Sequence, residues 1–170
     1  SISGNSYAVK TSADTEISGG ALSASGPSST NSFALECSGG ATVNISGGEL
    51  IADSERFSAT GIYNKGAIVN FCNGNIMATT ATPTSDYKAY GVYNYYDGTT
   101  NISGGSITAK ANTAVTNIKI YGLYNSNATA NITGGTISSE GSDNTASAVF
   151  DEVSASPKGV FISGTPVLKS

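Results

Sequence analysis

A five-residue motif recurs at nearly constant spacing along the chain, and that recurrence constrains the fold more than any other feature. Glu16-Ile17-Ser18-Gly19-Gly20 returns as Asn44-Ile45-Ser46-Gly47-Gly48, as Asn101-Ile102-Ser103-Gly104-Gly105 and as Asn131-Ile132-Thr133-Gly134-Gly135. Degenerate copies are Asn70-Phe71-Cys72-Asn73-Gly74 and Phe161-Ile162-Ser163-Gly164-Thr165. The apolar anchors Ile17, Ile45, Phe71, Ile102, Ile132 and Ile162 are separated by 28, 26, 31, 30 and 30 residues. Such a period marks a repeat architecture, in which each unit buries its apolar face only against its neighbours.

Two further columns keep the same period. Before the anchors stand Gly61-Ile62-Tyr63-Asn64, Gly91-Val92-Tyr93-Asn94 and Gly122-Leu123-Tyr124-Asn125. Looser versions are Ala8-Val9-Lys10, Ala34-Leu35-Glu36-Cys37 and Ala148-Val149-Phe150-Asp151. After the anchors come Leu22, Leu50, Ile76, Ile107, Ile137 and Val167, each five residues beyond its anchor. A fixed offset across a Gly-rich corner implies one tight bend between two short strands. Each repeat therefore holds three short strands.

Alternation of period two assigns faces within each strand. The always-aliphatic column Val9, Leu35, Ile62, Val92, Leu123 and Val149 must point inward. Parity then places Tyr7, Phe33, Thr60, Tyr90, Tyr121 and Ser147 inside, and likewise Thr11, Cys37, Asn64, Asn94, Asn125 and Asp151, of which Asn64, Asn94, Asn125 and Asp151 form a buried amide ladder. The same parity puts Ala8, Ala34, Gly61, Gly91, Gly122 and Ala148 outside, beside Lys10, Glu36, Tyr63, Tyr93, Tyr124 and Phe150. In the second strand Val43, Val69, Thr100 and Val160 join the anchors inside, and in the third Ala24, Ala52, Ala78, Ala109 and Ser139 follow the large aliphatic residue.

The expected fold is all-β. It is a right-handed single-stranded parallel β-helix of about six coils, with three short strands per coil and residues 1–170 as a single domain. Ser1-Ile2-Ser3-Gly4 resembles the second-strand motif but lies too close to Val9 for a full coil, so an irregular first coil is expected. Because the chain opens at Ser1 in mid-motif, it reads as a segment of a larger precursor.

Composition narrows the function classes. Charged residues are 12%, about half the usual share, yet apolar content is ordinary, which argues against disorder. Net charge is −4, with no His and Arg56 as the single Arg. Nucleic acid and anionic membrane surfaces, which need clustered Lys and Arg, are not expected partners. No apolar run reaches the ~20 residues of a spanning helix. Cys37 and Cys72 fall on different faces, so no disulfide is expected, and without His they make no standard zinc site. No metal or cofactor is expected.

The combination of "YGVYN"-like segments with "NISGG-x-I" segments resembles the β-helix repeats of bacterial secreted and cell-surface proteins. Adhesin-like repeat regions and polysaccharide-binding β-helices belong to that group. The resemblance implies an extracellular or cell-surface location and a polysaccharide or host-surface glycan as partner. Its motifs specify the coil rather than a ligand.

The candidate ligand-binding residues form an outward aromatic ladder: Tyr63, Tyr93, Tyr124 and Phe150, with Tyr95 and Tyr96 just beyond and Tyr87 and Lys88 in the preceding insertion. Sugar rings have apolar faces and polar edges, which suits stacked aromatics beside a flat floor of small residues. The insertions Thr79 to Lys88 and Ala111 to Lys119 would wall one side. The alternative is that the rings only stabilise parallel strands, as in a spacer or stalk. A polysaccharide lyase or hydrolase is not expected. Asp14, Asp53, Asp86, Asp97, Glu140 and Asp143 are dispersed, whereas hydrolysis needs two carboxylates flanking one bond. Without His, the usual nucleophilic triads are excluded.

Overall fold

The structure is a computed structural model that describes residues 1–27, 29–81, 87–111, 118–141, 146–152 and 158–170. Among these residues the chain winds through three parallel sheets, and no helix occurs. The first-strand sheet holds Tyr7–Thr11, Ser32–Ser38, Ala59–Lys65, Lys88–Tyr95, Lys119–Ser126 and Ala146–Glu152. The second-strand sheet holds Thr15–Ile17, Thr42–Ile45, Ile68–Phe71, Thr99–Ile102, Thr129–Ile132 and Gly159–Ile162. The third-strand sheet adds Ile2–Gly4, Ala21–Gly26, Glu49–Ser54, Asn75–Thr80, Ser106–Ala111, Thr136–Glu140 and Val167–Lys169. Every pairing joins equivalent strands of adjacent coils, making a β-solenoid of about five turns.

The interior is built of stacked apolar columns. Leu35, Ile62, Val92 and Leu123 are buried, as are Ile45, Phe71, Ile102 and Ile132, and Leu50, Ile76, Ile107 and Ile137. Ala24, Ala52, Ala78 and Ala109 fill the narrow corner beside the third column. Residues from three sheets thus meet along one axis, and burial of these columns is the main driving force for coiling. The Gly corner behaves as its spacing implies. Gly20, Gly48, Gly74, Gly105 and Gly135 all have positive φ, where an L-side chain clashes with its own backbone.

The register departs from expectation at both ends. Ile2 pairs with Leu22, so the opening strand belongs to the third-strand sheet, not to the second-strand motif it resembles. At the far end Leu168, not Val167, pairs with Ile137, so the last offset is one residue longer. Thr165 explains the slip. It occupies the position that carries the positive-φ Gly in the other coils, and a β-branched residue resists that conformation. The left-handed residue becomes Gly164, and the corner takes an extra residue.

Two polar ladders follow the axis. Inside, Asn64 donates to Asn94 at 2.9 Å, Asn94 to Asn125 at 2.8 Å and Asn125 to Asp151 at 2.9 Å. The buried Cys37 lies at the head of this line, 3.8 Å from Asn64 Oδ1, and burial pushes its thiol up to about 12. Cys72 is exposed, and both cysteines are free. On the outside of the second-strand sheet, Asn131 donates to Asn101, Asn101 to Asn70, Asn70 to Asn44 and Asn44 to Glu16, at 2.6–2.8 Å.

Candidate functional site

The outer face of the first-strand sheet carries far more aromatic surface than parity alone places there. Pairing along these strands skips one position per coil: Tyr90 pairs with Tyr121 and Val92 with Leu123, with no pair between Gly91 and Gly122. The strand bends at this point. Gly91 and Val92 both face the interior, while Tyr90 and Tyr93 both face out, their ring centroids 4.9 Å apart. Two expectations are thereby corrected. Tyr7, Phe33, Thr60, Tyr90, Tyr121 and Ser147 do not line the core, because the bend breaks the alternation. Nor do Gly61, Gly91 and Gly122 form an open outer floor. A Cβ on them would strike Cγ2 of Ile76, Ile107 and Ile137 in the core, as well as the next coil's backbone. Ala34 is likewise fully buried in the core cluster. Glycine is required here for space rather than for φ.

The two outward columns merge into one array. Tyr7, Phe33, Tyr63, Tyr93, Tyr90, Tyr121, Tyr124, Phe150, Tyr95 and Tyr96 are linked through ring centroids 4.9–6.4 Å apart. Tyr93 is central, touching Tyr63, Tyr90, Tyr95 and Tyr124. Tyr90 and Tyr121 are only 7% and 5% exposed, so they form a buried underlayer beneath half-exposed Tyr63, Tyr93 and Tyr124. Phe150 and Tyr96 are more open, at 39% and 63%. Tyr87 is not in the array; it packs on Phe57 at 4.4 Å. Lys88 opens the Tyr90 strand and is the register partner of Lys119. The stretches 82–86 and 112–117, expected to wall a groove, lie outside the described residues, as do Asp86 and Asp143.

Tyr96 sits in a strained turn. Its φ is +47° and that of Asp97 is +62°, where the adjacent coils use Gly66 and Asn127. That region is less favourable for a bulky side chain than for Gly or Asn. Tyr96 is one of the candidate ligand-binding residues named from the sequence, and the adjacent coils carry Gly66 and Asn127 at its place.

Electrostatics grade the array from end to end. At one end Glu36 is buried on the outer face and pairs with Lys10 at 2.7 Å, and burial first, then the Glu36 charge, raises the Tyr7 hydroxyl. At the other, the Tyr124 hydroxyl donates to the Glu152 carboxylate. Burial first, then neighbouring phenols and Glu152, pushes the Tyr93 hydroxyl up to about 12. Tyr90 and Tyr124 are raised by the same causes. These phenols therefore stay neutral donors through the physiological range. Beside the array lies a shallow concavity of 370 Å³ lined by Ser6, Tyr7, Thr30, Asn31, Phe33 and Phe57.

Comparison of the chain with known protein-family models, curated proteins and solved structures finds no match.

Proposed function

We propose that this β-solenoid is a non-catalytic, adhesin-like protein of the extracellular space or cell surface, binding carbohydrate through the outer face of the first-strand sheet. The supporting observation is the continuity of the ring array, with half-exposed Tyr63, Tyr93 and Tyr124 over a rigid underlayer of Tyr90 and Tyr121. Rings locked by their neighbours offer apolar faces at little entropic cost, and the neutral hydroxyls of Tyr63 and Tyr93 can donate to sugar oxygens. The strained, exposed Tyr96 and the aromatic-and-polar concavity beside Phe33 add to this reading.

A second reading, that of a structural spacer, is favoured by the burial of Tyr90 and Tyr121, since rings covered by rings stabilise the sheet without any ligand. Tyr96→Gly separates the two. Tyr96 touches only Tyr95 in the array, and glycine accepts its φ without strain. For a binding face, titration calorimetry against an immobilisable glycan panel should find a ligand whose affinity Tyr96→Gly weakens by about 1 kcal/mol, with the melting temperature unchanged or raised. Tyr93→Ala should weaken binding as well, together with some stability, because four rings pack on it. A spacer would bind nothing in the panel.

A further inference from the structure

We infer that the carbohydrate taken by this face is an acidic polysaccharide, its anionic groups on Lys88 and Lys119 and its sugar rings on the adjoining tyrosines. This rests on the carbohydrate-binding reading above and names the ligand's charge.

Lys88 and Lys119 are direct register partners on neighbouring strands. Each is followed by a buried inward residue, Ala89 or Ile120, so both side chains leave on the outer face. Two residues further on stand Tyr90 and Tyr121, the start of the ring array. Like charges directly opposite one another on a sheet are unfavourable. Among the described residues no carboxylate forms an ion pair with either lysine; the three ion pairs are Lys10–Glu36, Lys110–Glu140 and Lys158–Asp97. The opposite margin of the array carries Lys65, exposed and in register with Tyr95.

The carboxylates of this sheet are already engaged. Glu36 pairs with Lys10, Asp151 accepts from Asn125 and Glu152 accepts from Tyr124. Because Glu36 offsets Lys10, three of the seven lysines of this net −4 chain, Lys65, Lys88 and Lys119, stand in the strands of this sheet with no ion pair among the described residues. A locally basic rim on an acidic protein steers anions to that face and keeps them off the rest. A compact ammonium on a flexible stem suits a carboxylate or sulfate whose position varies along a polymer.

The test uses the whole chain and matched pairs of oligosaccharides: hyaluronan, alginate and chondroitin sulfate, each beside its carboxyl-reduced or desulfated counterpart. The expected result is that at least one acidic member binds about tenfold or more tighter than its neutral counterpart. That preference should shrink as sodium chloride is raised. It should vanish in the Lys88→Met/Lys119→Met double variant, whose melting temperature is unchanged or higher because a like-charge contact is gone. Equal binding of acidic and neutral members, or a preference that survives the double variant, overturns the assignment of charge and leaves the carbohydrate face standing. No binding by any member removes both. Single-stranded oligothymidylate binding as tightly as the best acidic saccharide reassigns the face to polyanions at large and overturns the proposal.

Discussion

The inner and outer asparagine ladders use the same amide chemistry under opposite conditions. Asn64, Asn94 and Asn125 are fully buried, whereas Asn44, Asn70, Asn101 and Asn131 are half-buried on the outside of the second-strand sheet. Their directions are opposed as well. The inner amides donate towards the C-terminal coil and end on Asp151; the outer amides donate towards the N-terminal coil and end on Glu16. A row of amides is symmetric in principle, because each can donate or accept. A carboxylate only accepts, so its placement at one end sets the direction of the whole row. The bond lengths are alike, so burial is what separates the two in energy. Outside, water replaces a lost partner; inside, nothing does.

The comparison can be tested within a single strand. Val92 and Asn94 both face the interior, two residues apart, but only Asn94 has partners for polar atoms. Val92→Asp should unfold the solenoid, costing upwards of ~4 kcal/mol, as followed by urea denaturation. A folded Val92→Asp protein with unchanged midpoint would mean that the interior is wet.

The same substitution in both ladders comes next. Asn94→Asp removes the donor that Asn125 Oδ1 and Thr129 O accept from, and sets a carboxylate against both. The expected cost is about 3 kcal/mol near neutral pH. The folded pKa of such an acid lies above its unfolded value, so the cost is present above the unfolded value and disappears as pH falls below about 4. Asn101→Asp, half-exposed, should cost about 1 kcal/mol or less. Equal losses at the two sites would show that burial is not the deciding variable.

Gly91→Ala probes the bend that separates the inner ladder from the ring array. The added methyl meets Cγ2 of Ile107 and the Gly122 carbonyl, so a loss of about 1–3 kcal/mol is expected by thermal melting. A neutral result would place the Gly91 side of the strand outside after all. Alkaline titration tests the array itself. The Tyr93 hydroxyl rises from 10.0 to about 12 in the folded state, so the folded form holds its proton longer. Its contribution to stability is complete below pH 10 and is lost as pH rises through about 12; phenolate absorbance should lag and then appear together with unfolding. The smallest effect belongs to Asn101→Ala, within about 0.5 kcal/mol, since solvent can take over its bonds to Asn70 and Asn131.

By itself the sequence determined the coil: three apolar columns at one period, Gly corners such as Gly48 and Gly105, the buried Ile62–Val92–Leu123 line and the inner amides beside it. These are readable because each repeat meets the same neighbours, so every column samples one environment several times over. It also marked Tyr63, Tyr93, Tyr124 and Phe150 as outward residues. Tertiary structure decided what alternation could not. Period two holds only along an unbroken strand, and the bend at Gly61, Gly91 and Gly122 arises from close approach to Ile76, Ile107, Ile137 and the next coil's backbone. That bend moves Tyr90 and Tyr121 outside and turns a single column of rings into a packed array. The direction of each amide ladder depends likewise on which residue ends a stack. A local pattern does not carry that information, because it is set by contacts about 30 residues away along the chain.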